Sequence, residues 1–239
     1  MTKAPDRTRD LDEGDGLTEE EFLALPGPAE GGKLELVRGR VVAVPPASAP
    51  HQTVAYAIAR AWEDAAGPLR DPRALAGPRE RGLVAVDVLG RTAPEETCPR
   101  RRTLRAPDVA FYAAARYAGP VRVGSLPVAP TLAVELLSPE DAWEALAAKA
   151  AEYLRSGAAV VWVIDLYPDA PSRGGASGAP PPGIWTRRYR AGGGTGVETV
   201  DLPSDGPDAV LDARPFLDAV VPLPAIYATA GLLDATDGE

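Results

Sequence analysis

Residues 130–137, with the sequence PTLAVELL, are apolar at nearly every position. In an extended chain, alternate side chains point to opposite faces, so Glu135 would share a face with Ala133 and Leu137. The opposite face would carry Leu132, Val134 and Leu136. Because both faces are otherwise apolar, the pattern predicts a central strand that is covered on both sides. A carboxylate buried there is costly unless something compensates it, so the pattern also predicts a partner for Glu135.

Helical spacing of apolar residues predicts two longer helices. The first covers residues 51–67, where Gly67 is typical of a helix end, and its apolar positions are Val54, Ala57, Ile58, Ala61 and Trp62. The second covers about residues 141–156. Thr18 followed by Glu21 is a capping box, which predicts a further short helix near the N-terminus.

Period-two patterns and turn residues predict the strands. Residues 33–44 form a predicted hairpin that turns near Arg38–Gly39. Further strands are predicted at 82–90, 103–112, 159–166 and in a final hairpin at 184–203. This order predicts a single α/β domain over residues 17–231, with a mixed central sheet flanked by helices. The charged segment 1–16 is predicted to be a disordered tail, and residues 232–239 a short C-terminal tail.

The helix at 141–156 carries a lysine at the margin of its apolar face. When residues are placed at 100° intervals, Lys149 falls between Leu146 and Tyr153. The chain has 22 arginines but only three lysines, at positions 3, 33 and 149, so an inward-facing lysine is unusual for this sequence. The alternative is a lysine whose stem lies along the helix edge while its ammonium group reaches solvent.

Asp108 is a second acidic residue in an apolar pattern. Continued alternation through 103–112 would place it on one face with Leu104, Ala106, Ala110 and Tyr112, while Pro107 cannot donate to a strand ladder. If this strand neighbours that of Glu135, the two carboxylates lie roughly 5 Å apart. A proton or a cation would relieve their repulsion, and oxygen ligands suit Mg²⁺ or Mn²⁺. With a nearby lysine, the set favours phosphodiester hydrolysis; the alternative is two solvated carboxylates at strand ends.

Composition and charge narrow the class of protein. There is no apolar run long enough to cross a membrane and no apolar segment typical of a secretory signal, and Cys98 is the single cysteine, so we expect a cytoplasmic protein. The net charge of −9 argues against general nucleic-acid binding. Residues 70–122 nevertheless carry 11 basic and 6 acidic side chains, which indicates either a phosphate-contacting surface or a solvated loop.

The motifs ELVRG, PPASAPH, APD and VELLSP, followed by Lys149, Tyr153 and the strand ending in Asp165, resemble the Uma2 family in order and spacing. The similarity runs from about Thr18 to Tyr227. That family belongs to the PD-(D/E)XK nucleases, so the resemblance implies a restriction-endonuclease-like core with an N-terminal hairpin extension. It also implies a DNA-cutting enzyme that uses Mg²⁺ or Mn²⁺.

The resemblance assigns roles to individual residues. Asp108 and Glu135 would be metal ligands. The superfamily usually has its lysine two residues after that glutamate, where this sequence has Leu137, whereas the Uma2 proteins carry it on the following helix, so Lys149 would be the catalytic lysine. Glu35 would be a further catalytic acidic residue, or else an ordinary hairpin glutamate. His51 would be an accessory residue, or else a histidine of a helix start.

The sequence departs from the family at two positions that are not proposed ligands. Ala145 stands where an acidic residue is often found four residues before the lysine, and Ala106 stands where an arginine commonly precedes the Pro-Asp pair.

Two functions remain open on the sequence alone. The first is a Mg²⁺-dependent endonuclease acting on DNA as a homodimer, whose phosphate contacts come from Arg100, Arg101, Arg102 and Arg105. The second is a nuclease fold that serves as a DNA-binding or regulatory module with little or no catalysis.

Overall fold

The computed structural model describes residues 16–74, 77–93, 98–117, 119, 124–167, 185–192, 197–203 and 209–232. The tails expected at 1–16 and 232–239 lie outside this part of the chain, apart from Gly16 and Leu232. The disorder expected for 1–16 and the tail expected at 232–239 therefore stay predictions. None of the helices in the described ranges is long and apolar enough to cross a membrane.

The structure contains four α-helices and twelve strands within the described residues. The helices are α1 (Glu19–Leu23), α2 (Ala49–Ala65), α3 (Trp143–Arg155) and α4 (Leu223–Thr229). The strands are β1 (Lys33–Val37), β2 (Arg40–Val44), β3 (Gly82–Ala85), β4 (Gly90–Thr92), β5 (Thr103–Arg105), β6 (Val109–Ala113), β7 (Leu132–Leu137), β8 (Val160–Asp165), β9 (Trp185–Ala191), β10 (Val197–Pro203), β11 (Val210–Asp212) and β12 (Val220–Pro222).

The core is a six-stranded mixed sheet in the order β10-β9-β8-β7-β6-β3. Strands β7 and β8 run parallel, and the other neighbouring pairs are antiparallel. Every residue of β7 is buried, as the apolar run predicted. Leu132, Val134 and Leu136 pack with α2, β11, β12 and α4, whereas Ala133 and Leu137 pack with α3 on the other face. The predicted mixed α/β architecture is therefore confirmed.

The local signals at the helix ends are also present. Thr18 and Glu21 form both hydrogen bonds of the capping box at α1. Helix α2 begins two residues earlier than expected, because the Ser48 side chain accepts a hydrogen bond from the backbone N–H of His51 and Pro50 is tolerated in the first turn. The helix ends just before Gly67, whose φ of 82° suits a glycine.

The hairpin β1–β2 belongs to a second sheet, with strand order β2-β1-β5-β4. The expected turn at Arg38–Gly39 is confirmed, with φ angles of 49° and 77°. The chain passes from the central sheet to this sheet between β3 and β4, and it returns to the central sheet between β5 and β6. Strands β4 and β5 lie in the second sheet, whereas β3 and β6 lie in the central sheet.

The expectation of continuous strands at 82–90 and 103–112 is therefore wrong. Each segment is split between the two sheets, the first around Asp87 and the second at 106–108. Pro107 has no N–H to donate, and Asp87 adopts a φ of 53°, which ends regular extended structure. The backbone N–H of Asp87 donates to the carbonyl oxygen of Pro107 at 3.1 Å, so the two breaks lie side by side. We call this place, residues 86–89 and 106–108, the seam.

Candidate active site

Asp108 lies in the seam, directly beside the central strand β7. Strands β6 and β7 pair with Val109 opposite Val134, so the same register continued by one residue brings Asp108 opposite Glu135. The backbone of β6 has already bent away there, and the Asp108 side chain replaces it as a partner for β7. Its Oδ2 accepts a hydrogen bond of 2.7 Å from the backbone N–H of Leu136. The predicted proximity of the two acidic segments is thereby explained.

The Asp108 carboxylate is buried and receives two basic side chains. The ammonium of Lys33 lies 3.0 Å from Oδ1, and Nε2 of His51 lies 3.3 Å from Oδ2. Burial opposes ionisation of the carboxyl, but the charge of Lys33 and the hydrogen bond with His51 outweigh it, so the pKa of Asp108 lies well below its usual range. Asp108 is accordingly a carboxylate at neutral pH.

Lys33, the first residue of β1, has three oxygen partners in the seam. Its Nζ donates to Asp108, to the carbonyl oxygen of Ala106 at 2.7 Å and to Oδ1 of Asp87 at 2.5 Å. Burial disfavours its charge, but the charges of Asp108, Glu135 and Asp87 outweigh this effect, so the pKa of Lys33 is raised and the group is an ammonium.

Glu135 finds its partners on helix α3. Lys149 donates to Oε2 at 2.9 Å and the Tyr153 hydroxyl donates to Oε1 at 2.8 Å. Burial raises the pKa of Glu135 to about 7, and the nearby Asp108 carboxylate adds to this, although Lys149 acts in the opposite direction. Glu135 is therefore the carboxyl of the cluster that titrates near neutral pH.

Glu35 on β1 completes the group of three buried carboxylates. Its Oε1 accepts from the backbone N–H of Ala106 at 3.0 Å and lies 3.1 Å from Lys149, while Arg105 donates to Oε2 at 2.9 Å. Burial alone would raise its pKa, but the charges of Lys149 and Arg105 lower it below the usual value. Lys149 thus lies between two carboxylates and is shared by them.

This sharing accounts for the different protonation of the two glutamates. Glu35 has a second cation in Arg105 and a backbone donor. Among the described residues, the hydrogen-bond partners of Glu135 are Lys149, which it shares with Glu35, and the neutral hydroxyl of Tyr153. The pKa of Lys149 is raised because both carboxylates favour its charge despite burial. Arg105 is held in turn by Glu152 through two hydrogen bonds of 3.1 and 3.0 Å.

The cluster opens into a cavity of about 690 Å³ that is lined by residues of both sheets, α2 and α3. The wall of this cavity includes eight ionisable residues: Lys33, Glu35, His51, Asp87, Arg105, Asp108, Glu135 and Lys149. Five carboxylates meet three obligate cations in this network if Glu152 is included, an excess of two negative charges when all carboxylates are ionised. The cavity is therefore acidic and oxygen-rich.

The donor set has the chemistry of a site for a hard divalent cation, because carboxylate oxygens of Asp108 and Glu135 face one cavity. In the described ranges, however, no three His, Cys, Asp or Glu residues are grouped so that they could hold a metal ion. The carboxylate oxygens instead receive protein donors. The residues fit a divalent cation on the condition that a basic side chain moves away from a carboxylate oxygen.

Most of the predicted site residues meet at this place. Glu35, His51, Asp108, Glu135 and Lys149 all lie on the cavity wall. The four arginines predicted to contact DNA do not form one surface. Arg105 points inward with only 15% of its side chain exposed, whereas Arg100 and Arg102 pair with Glu21 and Glu19 of α1.

Sequence reasoning missed Lys33, Asp87, Tyr153 and Glu152. A signal for Lys33 is available, since the scarcity of lysine that draws attention to Lys149 applies to it equally. Tyr153 stands among the positions that resemble the family but receives no role in the site, although a buried tyrosine hydroxyl usually has a partner. Asp87 and Glu152 carry no comparable signal, because their contacts depend on how the two sheets meet.

The fold is restriction-endonuclease-like. A crystal structure from Anabaena variabilis ATCC 29413, titled as "a putative nuclease belonging to DUF820", superposes with a TM-score of 0.61 at 16% sequence identity, over 90% of this chain and 99% of that chain. No curated protein matches the sequence. The Uma2 family, described as "Putative restriction endonuclease", matches residues 19–202, so the chain belongs to the Uma2 family.

Proposed function

We propose that the protein is a metal-dependent endonuclease that hydrolyses DNA phosphodiester bonds with Mg²⁺ or Mn²⁺. The observation that carries this proposal is the meeting of Asp108 and Glu135 from adjacent chain segments at one acidic cavity, with Lys149 2.9 Å from Glu135. Family membership supports the nuclease class.

Asp108 and Glu135 are the residues that would hold the cation. When bound, a divalent cation would offset the negative charge of the phosphate and make water a better nucleophile. Asp108 is ionised but its Oδ1 is paired with Lys33, whereas Glu135 must first lose the proton that its raised pKa of about 7 allows it to hold. Asp108 is fixed in place by the N–H of Leu136 and by His51.

Lys149 is placed to act on the water or on the phosphate. Hydrolysis forms one bond from a water oxygen to phosphorus and breaks one ester bond, so negative charge develops on the phosphoryl oxygens and on the leaving oxygen. The Lys149 ammonium, held by Glu35 and Glu135, lies at the cavity wall where it can stabilise that charge. Glu35 acts as a positioning residue for Lys149 and Arg105.

The second candidate is a nuclease fold that binds DNA or regulates a partner without cutting. The observation that favours it is the extensive internal pairing of the buried carboxylates with Lys33, Lys149 and Arg105. In a network of this kind each buried carboxylate already has a basic partner in the absence of a metal.

The two candidates are separated by a metal titration and a cleavage assay on four proteins. The wild type should bind Mg²⁺ in a calorimeter and nick supercoiled plasmid DNA. Asp108→Asn and Glu135→Gln keep the shape of the side chains and should lose most metal binding and at least 100-fold in cleavage rate. Lys149→Ala should retain metal binding and still cut more slowly.

The result that contradicts the endonuclease proposal is specific. If Glu135→Gln binds Mg²⁺ and cuts like the wild type, Glu135 is a structural carboxylate paired with Lys149 and Tyr153. If the wild type binds DNA but neither binds Mg²⁺ nor cuts, the binding-module function is correct.

A further inference from the structure

Oδ1 of Asp108, a potential metal-binding oxygen, is paired with Lys33. We propose that Lys33 is a positioning residue that occupies Oδ1 of Asp108 until a divalent cation displaces it, and that Lys33 thereby sets the metal affinity of the protein. This inference rests on the proposed metal-dependent function and concerns the regulation of that same site.

The hydrogen-bond partners of Asp108 differ between its two carboxylate oxygens, and Oδ1 is the oxygen that a metal could reach. Oδ2 receives the backbone N–H of Leu136 at 2.7 Å and lies 3.3 Å from Nε2 of His51, so its position is fixed by β7 and α2. Oδ1 is paired with Lys33 at 3.0 Å. A cation that binds Asp108 at this oxygen would lie next to the ammonium, and the repulsion between the two positive charges favours displacement of the ammonium.

The oxygen atoms around Lys33 resemble the surroundings of a hard cation. Its Nζ contacts two carboxylates, of Asp87 and Asp108, and the carbonyl oxygen of Ala106. Hard divalent cations take carboxylate and backbone carbonyl oxygens of this kind. The ammonium thus stands in for a metal charge and compensates Asp108 in the metal-free protein.

Lys33 also has a path out of the site. It begins β1 directly after Gly31 and Gly32, whose φ angles are 83° and 88°, so its backbone follows a turn rather than a strand interior. Asp87 is about half exposed and lies on the solvent side of the ammonium. The long lysine stem can therefore turn toward Asp87 and keep one carboxylate partner after it leaves Asp108.

The choice of lysine over arginine is consistent with this exchange. The chain uses 22 arginines and places two of its three lysines in this cluster. An ammonium is a compact charge on a flexible stem, whereas a guanidinium is a rigid planar group that would stay bound to its carboxylates.

The test compares Lys33→Met, Lys33→Arg and the wild type by calorimetric titration with Mg²⁺ and Mn²⁺ in the absence of DNA. Lys33→Met should bind the cation at least tenfold more tightly, and Lys33→Arg should bind no more tightly than the wild type. Without metal, Lys33→Met should melt at a lower temperature than the wild type, because Asp108 has lost its partner, and Mg²⁺ should restore more of its stability.

A second measurement follows the ammonium itself. Because the chain has three lysines, labelling with ¹³Cε-lysine gives three signals, and the Lys33 signal is assigned by its loss in Lys33→Arg. In the wild type this signal should shift in step with Mg²⁺ binding. This measurement does not depend on the folding of Lys33→Met.

The outcomes separate the two proposals. If the wild type binds Mg²⁺ while Lys33→Met binds it equally or more weakly, or while the Lys33 signal stays in place, the role of Lys33 is wrong and the endonuclease proposal stands. If neither protein binds Mg²⁺ or Mn²⁺, the metal-dependent function fails and the role of Lys33 fails with it.

Discussion

Glu135 and Asp108 are neighbouring buried carboxyls, yet their pKa values are shifted in opposite directions. Asp108 has Lys33, His51 and a backbone N–H as partners, whereas Glu135 shares Lys149 with Glu35. Burial therefore dominates at Glu135 and raises its pKa, while the partners dominate at Asp108 and lower it. A buried pair with one proton avoids the repulsion of two adjacent negative charges.

The first prediction concerns pH and the variant Glu135→Gln in metal-free protein. Below pH 4.5 the wild-type Glu135 is protonated in both the folded and the unfolded state, so it behaves like glutamine. Between pH 4.5 and about pH 7 the folded state retains a proton that the unfolded state has lost. The free energy of unfolding of the wild type therefore falls as the pH rises through this range. The wild type should therefore lose about 3 kcal/mol relative to Glu135→Gln between pH 4.5 and pH 8.

The measurement is chemical denaturation of both proteins across this pH range. The pKa of Asp108 is lowered, so the pH-dependent contribution of Asp108 lies mostly below this range. Parallel curves would show that the pKa of Glu135 is not raised.

The second prediction concerns the Tyr153 hydroxyl. Tyr153→Phe removes the donor to Oε1 of Glu135 and should lower the free energy of unfolding by about 1–2 kcal/mol. Tyr112→Phe is the matched control, because Tyr112 is equally buried but its hydroxyl has no hydrogen-bond partner among the described residues. The control should be neutral or stabilising in urea denaturation. Equal effects of the two changes would mean that the contact with Glu135 contributes nothing.

At the residue scale, the sequence predicts those site residues that are charged but stand in an otherwise apolar pattern. Glu135 interrupts a buried strand, and Lys149 lies at the edge of an apolar helix face, so each can be recognised alone. Lys33 begins an ordinary hairpin strand, and its importance depends on contacts with residues 54 to 75 positions away. Alternation within one element gives no information about such partners.

At the scale of elements, the helices and the hairpins are predictable because each carries its own start and stop signals. The seam is not, because the period-two pattern continues through both breaks while the strand partners change from one sheet to the other. Pro107 marks one break through its missing N–H, but the consequence of that break depends on the neighbouring strand.

The third prediction concerns Gly39 in the turn between β1 and β2. Gly39 has a φ of 77°, and a Cβ added there would lie 1.8 Å from the carbonyl oxygen of Arg100. Gly39→Ala should therefore cost about 2 kcal/mol or more, since both strain and a backbone clash oppose it. Gly27→Ala is the control, because nothing lies within 4 Å of the added atom. A Gly39→Ala protein as stable as Gly27→Ala in denaturant would contradict this account of the turn.

At the scale of the whole molecule, the net charge of −9 makes any contact with DNA depend on local basic groups. Arg100 and Arg102 are about 41% and 32% exposed, so they remain accessible although they pair with α1. Arg105 is enclosed by Glu35 and Glu152 and belongs to the site network.

The fourth prediction concerns the salt dependence of DNA binding. Replacing Arg100, Arg101 and Arg102 by alanine should reduce the slope of log affinity against log salt by about one for each of these arginines that binds a phosphate. Arg105→Ala should instead reduce stability, because it leaves Glu35 and Glu152 short of a cation. An unchanged slope in the triple variant, measured by fluorescence anisotropy, would identify the arginines as a solvated loop.

The fifth prediction concerns assembly. Cutting both strands of a duplex is simplest with two active sites, so we expect a homodimer. Val41 and Val42 lie on the edge strand β2 and are about 40% exposed, and an exposed apolar edge strand is a place where a second chain can pair. Light scattering at micromolar concentration should give twice the monomer mass, and a monomer mass would contradict the expectation.

The hydrogen bond from the Leu136 N–H to Asp108 gives the central strand a spectroscopic role. The bond replaces a ladder partner with a side chain, so the amide resonance of a deeply buried strand responds to what happens at the cavity wall. A change in the charge that faces Oδ1 alters the electron density on Oδ2 and hence the proton chemical shift of Leu136. One backbone signal, without any added label on the site, can thus serve as an indicator of the state of Asp108 in the intact protein.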